Sequence, residues 1–169
     1  MLLCWHNQRS SILADETGLG KTVQVVSFIE HLCMAEKLRG PYLVVVPLST
    51  IGHWQREFQS WTDMTICVYH DQGADLRALI RAFEWYFSVG NKNQSPLFRF
   101  EVLITTYDEV IKDVDHLSEV PWRGIVVDEA HRLKGINSKL LECLHQIMPK
   151  GQQEHNFQHK LLLTGTPLQ

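Results

Sequence analysis

Paired cysteines are missing from the sequence. Its four cysteines, Cys4, Cys33, Cys67 and Cys143, lie far apart, and no two of them form a C-x-x-C pair. A zinc site built from cysteines needs clustered ligands, so this spacing argues against one. It favours thiols that are packed in a domain from a reducing compartment.

Long hydrophobic runs are missing as well. No apolar stretch approaches the roughly 18 residues that a membrane-spanning helix needs. The first five residues (MLLCW) are apolar, but they lack the basic region and the small-residue cleavage site of a secretory signal. We therefore expect a soluble protein that works inside the cell and has no membrane partner.

The sequence also has no excess of positive charge. It contains 16 Lys and Arg residues against 19 Asp and Glu residues, a formal net charge of -3. A nucleic-acid partner would therefore be contacted through a local patch or through backbone groups. What the 169 residues do contain is 44% hydrophobic residues, which is typical of one packed domain rather than a disordered chain.

Short apolar runs alternate along the chain with segments of helical periodicity. The runs at 42–46 (YLVVV), 101–105 (EVLIT) and 124–127 (GIVV) are continuous, as in strands that are covered on both faces. This alternation predicts an α/β domain with a mainly parallel sheet and helices on both faces. Further strands are predicted at 11–14, 65–69 and 160–163, and helices at 21–36, 50–61, 76–87, 107–112 and 138–147.

Two side-chain patterns have ordinary structural interpretations. Trp54, Phe58 and Trp61 recur at helical spacing, and we expect them in the core, because a base-stacking platform needs exposed aromatic rings. Arg77 and Arg81 lie among acidic residues, and we expect them on a solvated helix face.

The strongest local signal is a glycine-rich turn at 18–22 (GLGKT), between a predicted strand and a predicted helix. Glycines let the backbone turn tightly and aim N–H groups at phosphate oxygens, and the helix N terminus adds partial positive charge. Lys21 can then reach the β- and γ-phosphates of a nucleotide, and Thr22 can bind Mg²⁺. The strict pattern has glycine where this chain has Asp15, so an ordinary strand-to-helix turn remains the alternative. The predicted nucleotide-binding residues are Gly18, Leu19, Gly20, Lys21 and Thr22.

Two adjacent carboxylates end another predicted strand, in the segment 125–131 (IVVDEAH). Phosphoryl transfer needs one acid for Mg²⁺ and another group to orient or deprotonate the attacking water. We predict that Asp128 binds the metal and Glu129 the water, and that both act with Lys21 in catalysis. Carboxyl ends of parallel strands meet at one edge, so we expect the pair to face the same crevice as the glycine turn. A solvated acidic turn is the alternative, but the apolar run before the pair disfavours it.

Taken together, these motifs resemble those of the Snf-type chromatin-remodelling ATPases of helicase superfamily 2. The resemblance covers nearly the whole chain, and the motifs occur in the order that the family has. The segments that carry it are 15–22 (DETGLGKT), 128–134 (DEAHRLK) and 163–169 (LTGTPLQ) for motifs I to III, and 47–54 (PLSTIGHW) and 104–107 (ITTY) for motifs Ia and Ib. Within the family, 121–123 (PWR) and 139–142 (KLLE) look most like the chromodomain-helicase-DNA-binding group.

The resemblance implies a RecA-like P-loop lobe that binds and hydrolyses ATP with Mg²⁺ in the nucleus. It also implies translocation on double-stranded DNA and nucleosomes. By position, the residues expected at the DNA backbone are Ser49, Thr50, Thr105 and Thr106, and those expected to couple nucleotide to DNA are Thr164 and Thr166. Each of these six also has an ordinary interpretation as a cap or turn residue.

A second RecA-like lobe belongs to this resemblance, because it carries the arginine fingers that stabilise charge on the transferring phosphoryl group. Its motifs do not occur in residues 1–169. We therefore expect this chain to be the first lobe, truncated at both ends, and inactive or very slow alone. A non-catalytic ATP- or DNA-binding fragment is the alternative function. A small-molecule kinase is disfavoured by the acid pair at 128–129 and by the TGT turn at 164–166 after the last predicted strand.

Departures from the family pattern are few. Thr17 stands where the family usually has methionine, and Gly135 where it usually has asparagine. The polar stretch at 149–158 is longer than the family suggests.

Overall fold

The computed structural model describes residues 1–16, 18–87, 97–133, 138–148 and 159–165, and within them six strands form one sheet. The strands are β1 (Ser11–Leu13), β2 (Tyr42–Val45), β3 (Ile66–Tyr69), β4 (Val102–Thr105), β5 (Gly124–Val127) and β6 (His159–Leu163). The helices are α1 (Leu2–His6), α2 (Lys21–Met34), α3 (Ile51–Trp61), α4 (Ala74–Ile80), α5 (Tyr107–Lys112), α6 (Val114–Ser118) and α7 (Ser138–Ile147). Single 3-10 turns lie at Leu48–Thr50 and Ala130–Arg132, and a π-helical turn lies at Arg81–Trp85.

All neighbouring strands of the sheet are parallel, in the order β1-β6-β5-β2-β4-β3. The predicted parallel α/β architecture is therefore confirmed. β6, the last described strand of the chain, lies between β1 and β5 rather than at an edge. Because parallel strands all end at the same side, the residues after β1, β6 and β5 are neighbours at one edge of the sheet.

Two hydrophobic cores cover the two faces of the sheet. Side chains alternate along a strand, so Val44 of β2 packs with α2 and α3, whereas Val45 packs on the opposite face. On that opposite face the core is completed by residues of α5, α6 and α7 and by Trp85. The predicted helices on both faces are present.

Helix α3 has the apolar face that its spacing predicts, except at its end. Trp54 and Phe58 are buried, but Trp61 is 61% exposed. Trp61 is the last residue of α3, one turn beyond Phe58, and its indole N–H donates to Glu57. The prediction that Trp61 belongs to the core is therefore wrong.

Arg77 is buried, which contradicts the predicted solvated helix face. Its guanidinium contacts Asp113 at 2.6 Å and also donates to the carbonyl oxygen of Asp71. Arg81 lies 3.7 Å from the same carboxylate, which further accepts a hydrogen bond from Tyr69. Burial alone would raise the pKa of Asp113, but the hydrogen bonds and charges of these partners lower it overall. The partner of Arg77 is distant in sequence, so a local charge pattern could not reveal it.

The segment predicted as one helix at 76–87 is divided. Helix α4 begins earlier, at Ala74, and the π-helical turn that follows it ends at Trp85. Tyr86 then forms an isolated antiparallel bridge with Phe98. Helix α6 was not predicted.

None of the helices in the described part of the chain has the length and the apolar character that a membrane-spanning helix needs.

Candidate nucleotide-binding site

The glycine turn after β1 has a backbone that requires glycine. Gly18 has φ 94° and Gly20 has φ 75°, both in the left-handed region that L-residues rarely adopt. No further atom lies within 4 Å of the position that a Cβ would take at either residue. The turn therefore has open space beside its backbone, and Leu19 between the glycines is exposed. Thr17 lies outside the described residues.

Helix α2 begins directly after this turn, at Lys21, and Thr22 is half-buried in its first turn. No side chain caps the helix, because its N-cap residue is Gly20. The N–H groups of a first helical turn have no partners within the helix, so they are available to an anion. The helix is 14 residues long, which gives its N terminus the full effect of aligned peptide dipoles.

Lys21 and Gln24 join the start of α2 to the loop that precedes it. The Lys21 ammonium donates to the carbonyl oxygens of Asp15, at 2.7 Å, and Glu16, at 3.0 Å. The Gln24 amide donates to the Asp15 carboxylate and to the Leu19 carbonyl oxygen. Asp15, which replaces the glycine of the strict pattern, is thus an acceptor that holds the loop together. Sequence reasoning missed Gln24, although it lies one helical turn after Gly20.

Asp128 directly follows β5, and its position is fixed by four hydrogen bonds. Its N–H donates to Val45, and one carboxylate oxygen, Oδ1, accepts the N–H of Glu129 at 2.9 Å. The other oxygen, Oδ2, accepts the indole N–H of Trp54 at 3.0 Å. The Tyr107 hydroxyl donates to the Asp128 carbonyl oxygen. Sequence reasoning placed neither Trp54 nor Tyr107 in the site, because both come from other elements.

Glu129 differs from Asp128 in both backbone and surroundings. It has φ 49°, an uncommon left-handed conformation for a residue with a Cβ, and it is followed by the 3-10 turn. Its side chain is 33% exposed, and one carboxylate oxygen lies 3.1 Å from Nδ1 of His131. The chain therefore bends sharply between the two acids, and their carboxylates have different partners.

The end of β6 lies between the glycine turn and the acidic pair. Thr164 directly follows β6, is fully buried, and its N–H donates to the carbonyl oxygen of Leu13 at the end of β1. With strands about 4.8 Å apart, β1 and β5 end about 10 Å from each other across β6. A triphosphate group with its metal ion has about the length of this gap between the ends of β1 and β5. Thr166 lies outside the described residues.

The hydroxyl residues predicted at the DNA backbone have different environments. Ser49 is exposed, and the Thr50 hydroxyl donates to Pro47 in the turn before α3. Thr105 and Thr106 are buried, and their hydroxyls donate to the Tyr69 carbonyl oxygen and the Glu109 carboxylate. The two buried hydroxyls therefore have partners inside the protein. The role of all four residues at DNA stays a prediction.

The residues at this edge fit a magnesium nucleotide chemically. Mg²⁺ prefers carboxylate, hydroxyl and water oxygens, and Asp128 and Thr22 are of these types. Each carboxylate oxygen of Asp128 accepts one hydrogen bond and has a further lone pair for a metal ion or its water. The open glycine turn and the uncapped N terminus of α2 suit the phosphate groups.

This parallel sheet, with a glycine turn after β1 and an acidic pair after β5 at one edge, defines a RecA-like α/β domain. A family model described as the SNF2-related domain matches residues 1–169. The chain belongs to the SNF2-related domain family. The predicted resemblance to Snf-type ATPases is thereby confirmed.

Named relatives agree with this family. The chain is 44% identical over 170 residues to chromodomain-helicase-DNA-binding protein 8 of Xenopus tropicalis, a match that covers 100% of this chain and 7% of that protein. It is 43% identical over 170 residues to chromodomain-helicase-DNA-binding protein 7 of Homo sapiens, covering 100% of this chain and 5% of that protein. The chain thus spans a small fraction of the length of these relatives.

A solved structure has the same fold. It is the Sulfolobus solfataricus SWI2/SNF2 ATPase core in complex with double-stranded DNA, with a TM-score of 0.69 and 27% sequence identity. The match covers 94% of this chain and 28% of that one.

Proposed function

We propose that this chain is the ATP-binding and ATP-hydrolysing lobe of a DNA-translocating chromatin remodeller. The observation that carries the proposal is that the glycine turn before α2 and the pair Asp128–Glu129 lie at one edge of one parallel sheet, on either side of β6. Membership of the SNF2-related family supports ATPase chemistry at this edge. The enzyme is accordingly a DNA-dependent ATP hydrolase of the helicase superfamily.

Each predicted site residue then has a role that matches its surroundings. The backbone of Gly18, Leu19 and Gly20 and the side chain of Lys21 hold the triphosphate, since they combine N–H groups with a positive charge. Thr22 and Asp128 hold Mg²⁺, which neutralises charge on the β- and γ-phosphates when it is bound. Glu129, whose side chain is 33% exposed, orients the attacking water and takes its proton.

The proposed substrate for translocation is double-stranded DNA, and in the cell nucleus it is nucleosomal DNA. The Sulfolobus relative was solved with double-stranded DNA, and the other relatives are named as DNA-binding proteins. Ser49 and Thr50, just before α3, are proposed to lie at the DNA backbone, and Thr105 and Thr106, buried before α5, are proposed to lie near it. Thr164 and Thr166, after β6, are proposed to couple the nucleotide to the DNA, because β6 lies between the two halves of the nucleotide site.

A second RecA-like lobe is proposed as the partner that completes this site. The described residues near Asp128 include no arginine with a hydrogen bond or ion pair to either acid. Arginine fingers contribute about 10³-fold or more to phosphoryl-transfer rates in related chemistry. We therefore propose that residues 1–169 bind ATP but hydrolyse it very slowly alone.

Nucleotide binding by the 169-residue chain tests the proposal. Lys21→Ala should weaken Mg²⁺–ATP binding roughly tenfold to a hundredfold, because a charge-assisted contact to phosphate contributes about 1.5–3 kcal/mol. Isothermal titration calorimetry measures the affinity directly. Lys139→Ala is the matched control, since Lys139 is an exposed lysine in the first turn of α7. Equal ATP affinities for wild type and Lys21→Ala would contradict the proposed nucleotide site.

A further inference from the structure

Trp54 connects helix α3 to the acid that is proposed to bind Mg²⁺. Its side chain is 1% exposed, and its indole N–H donates to Oδ2 of Asp128 at 3.0 Å. The two residues are far apart in sequence, and they meet because α3, which packs against β3 and β4, brings Trp54 to the residue that follows β5. The ring itself contacts the core of that face, near Phe58.

The two donors on Asp128 determine the orientation of its carboxylate. The indole of Trp54 binds Oδ2, and the backbone N–H of Glu129 binds Oδ1. Two donors that approach different oxygens from fixed positions hold the carboxylate plane in one rotation about its last torsion angle. Because each oxygen can accept two hydrogen bonds or metal contacts, one lone pair on each remains directed away from the donors.

Trp54 is distinguished from Trp61 on the same helix by the location of its acceptor. Trp61 also donates its indole N–H to a carboxylate at 3.0 Å, but that acceptor is Glu57, one turn back on the outer side of α3. The ring of Trp61 is 61% exposed, whereas that of Trp54 is buried. An indole–carboxylate hydrogen bond therefore occurs both at the surface, in Trp61, and at the proposed metal ligand, in Trp54. Trp61 can accordingly serve as the control for substitutions of Trp54.

We propose that Trp54 is a positioning residue for Mg²⁺: its indole N–H holds the Asp128 carboxylate in the orientation that binds the metal ion. This inference rests on the proposed function, because it assumes that Asp128 serves Mg²⁺. Groups that hydrogen-bond to metal ligands restrict their orientation, and their loss typically lowers metal affinity about 10- to 100-fold. The indole N–H is already donated to Asp128, so its loss should act on metal binding rather than on binding of metal-free nucleotide.

The test compares Mg²⁺ affinity with metal-free nucleotide affinity in the 169-residue chain. Mg²⁺ is titrated into protein saturated with a fluorescent ATP analogue, and binding of the same analogue is measured separately in EDTA. Trp54→Phe removes the N–H together with part of the ring. Replacement of Trp54 by 3-benzothienylalanine removes the N–H alone, because sulfur replaces nitrogen in a ring of nearly the same shape. Trp61→Phe is the control, and Asp128→Asn shows the effect of losing the carboxylate.

The expected result is an apparent Mg²⁺ affinity about tenfold weaker in both Trp54 variants, with EDTA binding of the analogue within about twofold of wild type. Trp61→Phe should match wild type in both measurements. Unchanged Mg²⁺ affinity in the benzothienylalanine variant would overturn the inference, as would an equal loss of metal-free binding. If wild type and Asp128→Asn bind with the same Mg²⁺ dependence, the proposed function fails at this residue, and the inference fails with it.

Discussion

Asp128 and Glu129 are adjacent in sequence, but their carboxylates are held to different extents by neighbouring groups. The Asp128 carboxylate accepts hydrogen bonds at both oxygens, from Trp54 and from the backbone of Glu129. The Glu129 side chain is one-third exposed and has an imidazole, His131, as its described neighbour. A fixed carboxylate suits a metal ion, which needs set geometry, and a freer one suits a water molecule and its proton.

At the same scale, Glu129→Gln should separate binding from hydrolysis. Glutamine keeps the shape of the side chain but cannot take a proton, so hydrolysis should fall at least about 100-fold. ATP affinity should stay within about threefold of wild type, because Glu129 is proposed to act on the water and not to hold the nucleotide. ATP turnover is measured in a form of the protein that includes the proposed second lobe, with binding measured by calorimetry.

Glu142→Gln, an exposed change on α7, is the control for that experiment. Loss of binding in Glu129→Gln would show that this residue holds the nucleotide instead of the water. DNA-stimulated turnover by residues 1–169 alone, at the rates of complete motors, would refute the proposed need for a second lobe. No turnover even with that lobe would favour the non-catalytic binding fragment.

At the scale of elements, the helices on the two faces of the sheet meet at Asp128. Helix α3 contacts its carboxylate through Trp54, and α5 contacts its carbonyl oxygen through the Tyr107 hydroxyl. These are the helices that follow the residues proposed to lie at or near the DNA backbone, which are Ser49, Thr50, Thr105 and Thr106. Asp128, the proposed metal ligand, is thus in direct contact with both of these helices.

Two glycines at helix starts should respond in opposite ways to alanine. Gly52 lies in the first turn of α3, where an added Cβ would meet only the flexible Arg56 side chain at 3.4 Å. Gly52→Ala should therefore stabilise the fold by about 0.5 kcal/mol, since alanine loses less backbone entropy. Gly20→Ala should destabilise it by about 1 kcal/mol, because φ 75° disfavours any Cβ. Urea unfolding measures both values, and a Gly20→Ala protein as stable as wild type would contradict the backbone described here.

Sequence patterns predicted the strands well, because continuous apolar runs such as 42–46 and 124–127 are too short for a typical helix and suit strands covered on both faces. The residues of the glycine turn and the acidic pair were also recognisable, since their chemistry is encoded in adjacent positions. Contacts between distant positions were not recognisable. Trp54 was assigned only to the core, because its acceptor, Asp128, is distant in sequence and comes close only in the folded chain. Arg77 was assigned to the surface for the same reason, since its partner is Asp113.

At the scale of the whole molecule, the sheet separates two cores, and a histidine is buried in one of them. His159, at the start of β6, is 3% exposed, with its Nε2 atom 2.9 Å from the Ser11 hydroxyl and its ring near Phe28. Burial, with a smaller contribution from the positive charge of the amino terminus, lowers the pKa of His159 to about 4. The folded protein therefore keeps this ring neutral at pH values where the unfolded chain protonates it.

The stability of the protein should consequently fall as the pH decreases from about 6.5 to about 4. In that window the unfolded state binds a proton at His159 that the folded state does not, which costs the folded state about 1–2 kcal/mol. Above pH 6.5 both states are neutral there and the effect vanishes. Asp113 also affects the stability of the fold, but because its pKa is lowered, its carboxylate is protonated, and its stabilising effect lost, at more acidic pH.

Chemical denaturation at a series of pH values measures this dependence. His159→Gln, which cannot titrate, should flatten the curve between pH 6.5 and 4. His53→Gln, at a histidine whose side chain is 49% exposed, is the control substitution. A wild-type curve that is as flat as that of His159→Gln would contradict the buried, neutral state of this ring.

The position of β6 has a consequence for how the protein is made. Among the described strands, β1 hydrogen-bonds only to β6, so Ser11 finds its partner at Leu161, near the other end of the chain. During translation β1 is synthesised first among these strands, and β6 only after β2 to β5. Until then β1 lacks its partner strand. Loop-closure entropy makes such distant pairing slow. We infer that the glycine turn, which directly follows β1, acquires its final shape only after β6 has been synthesised.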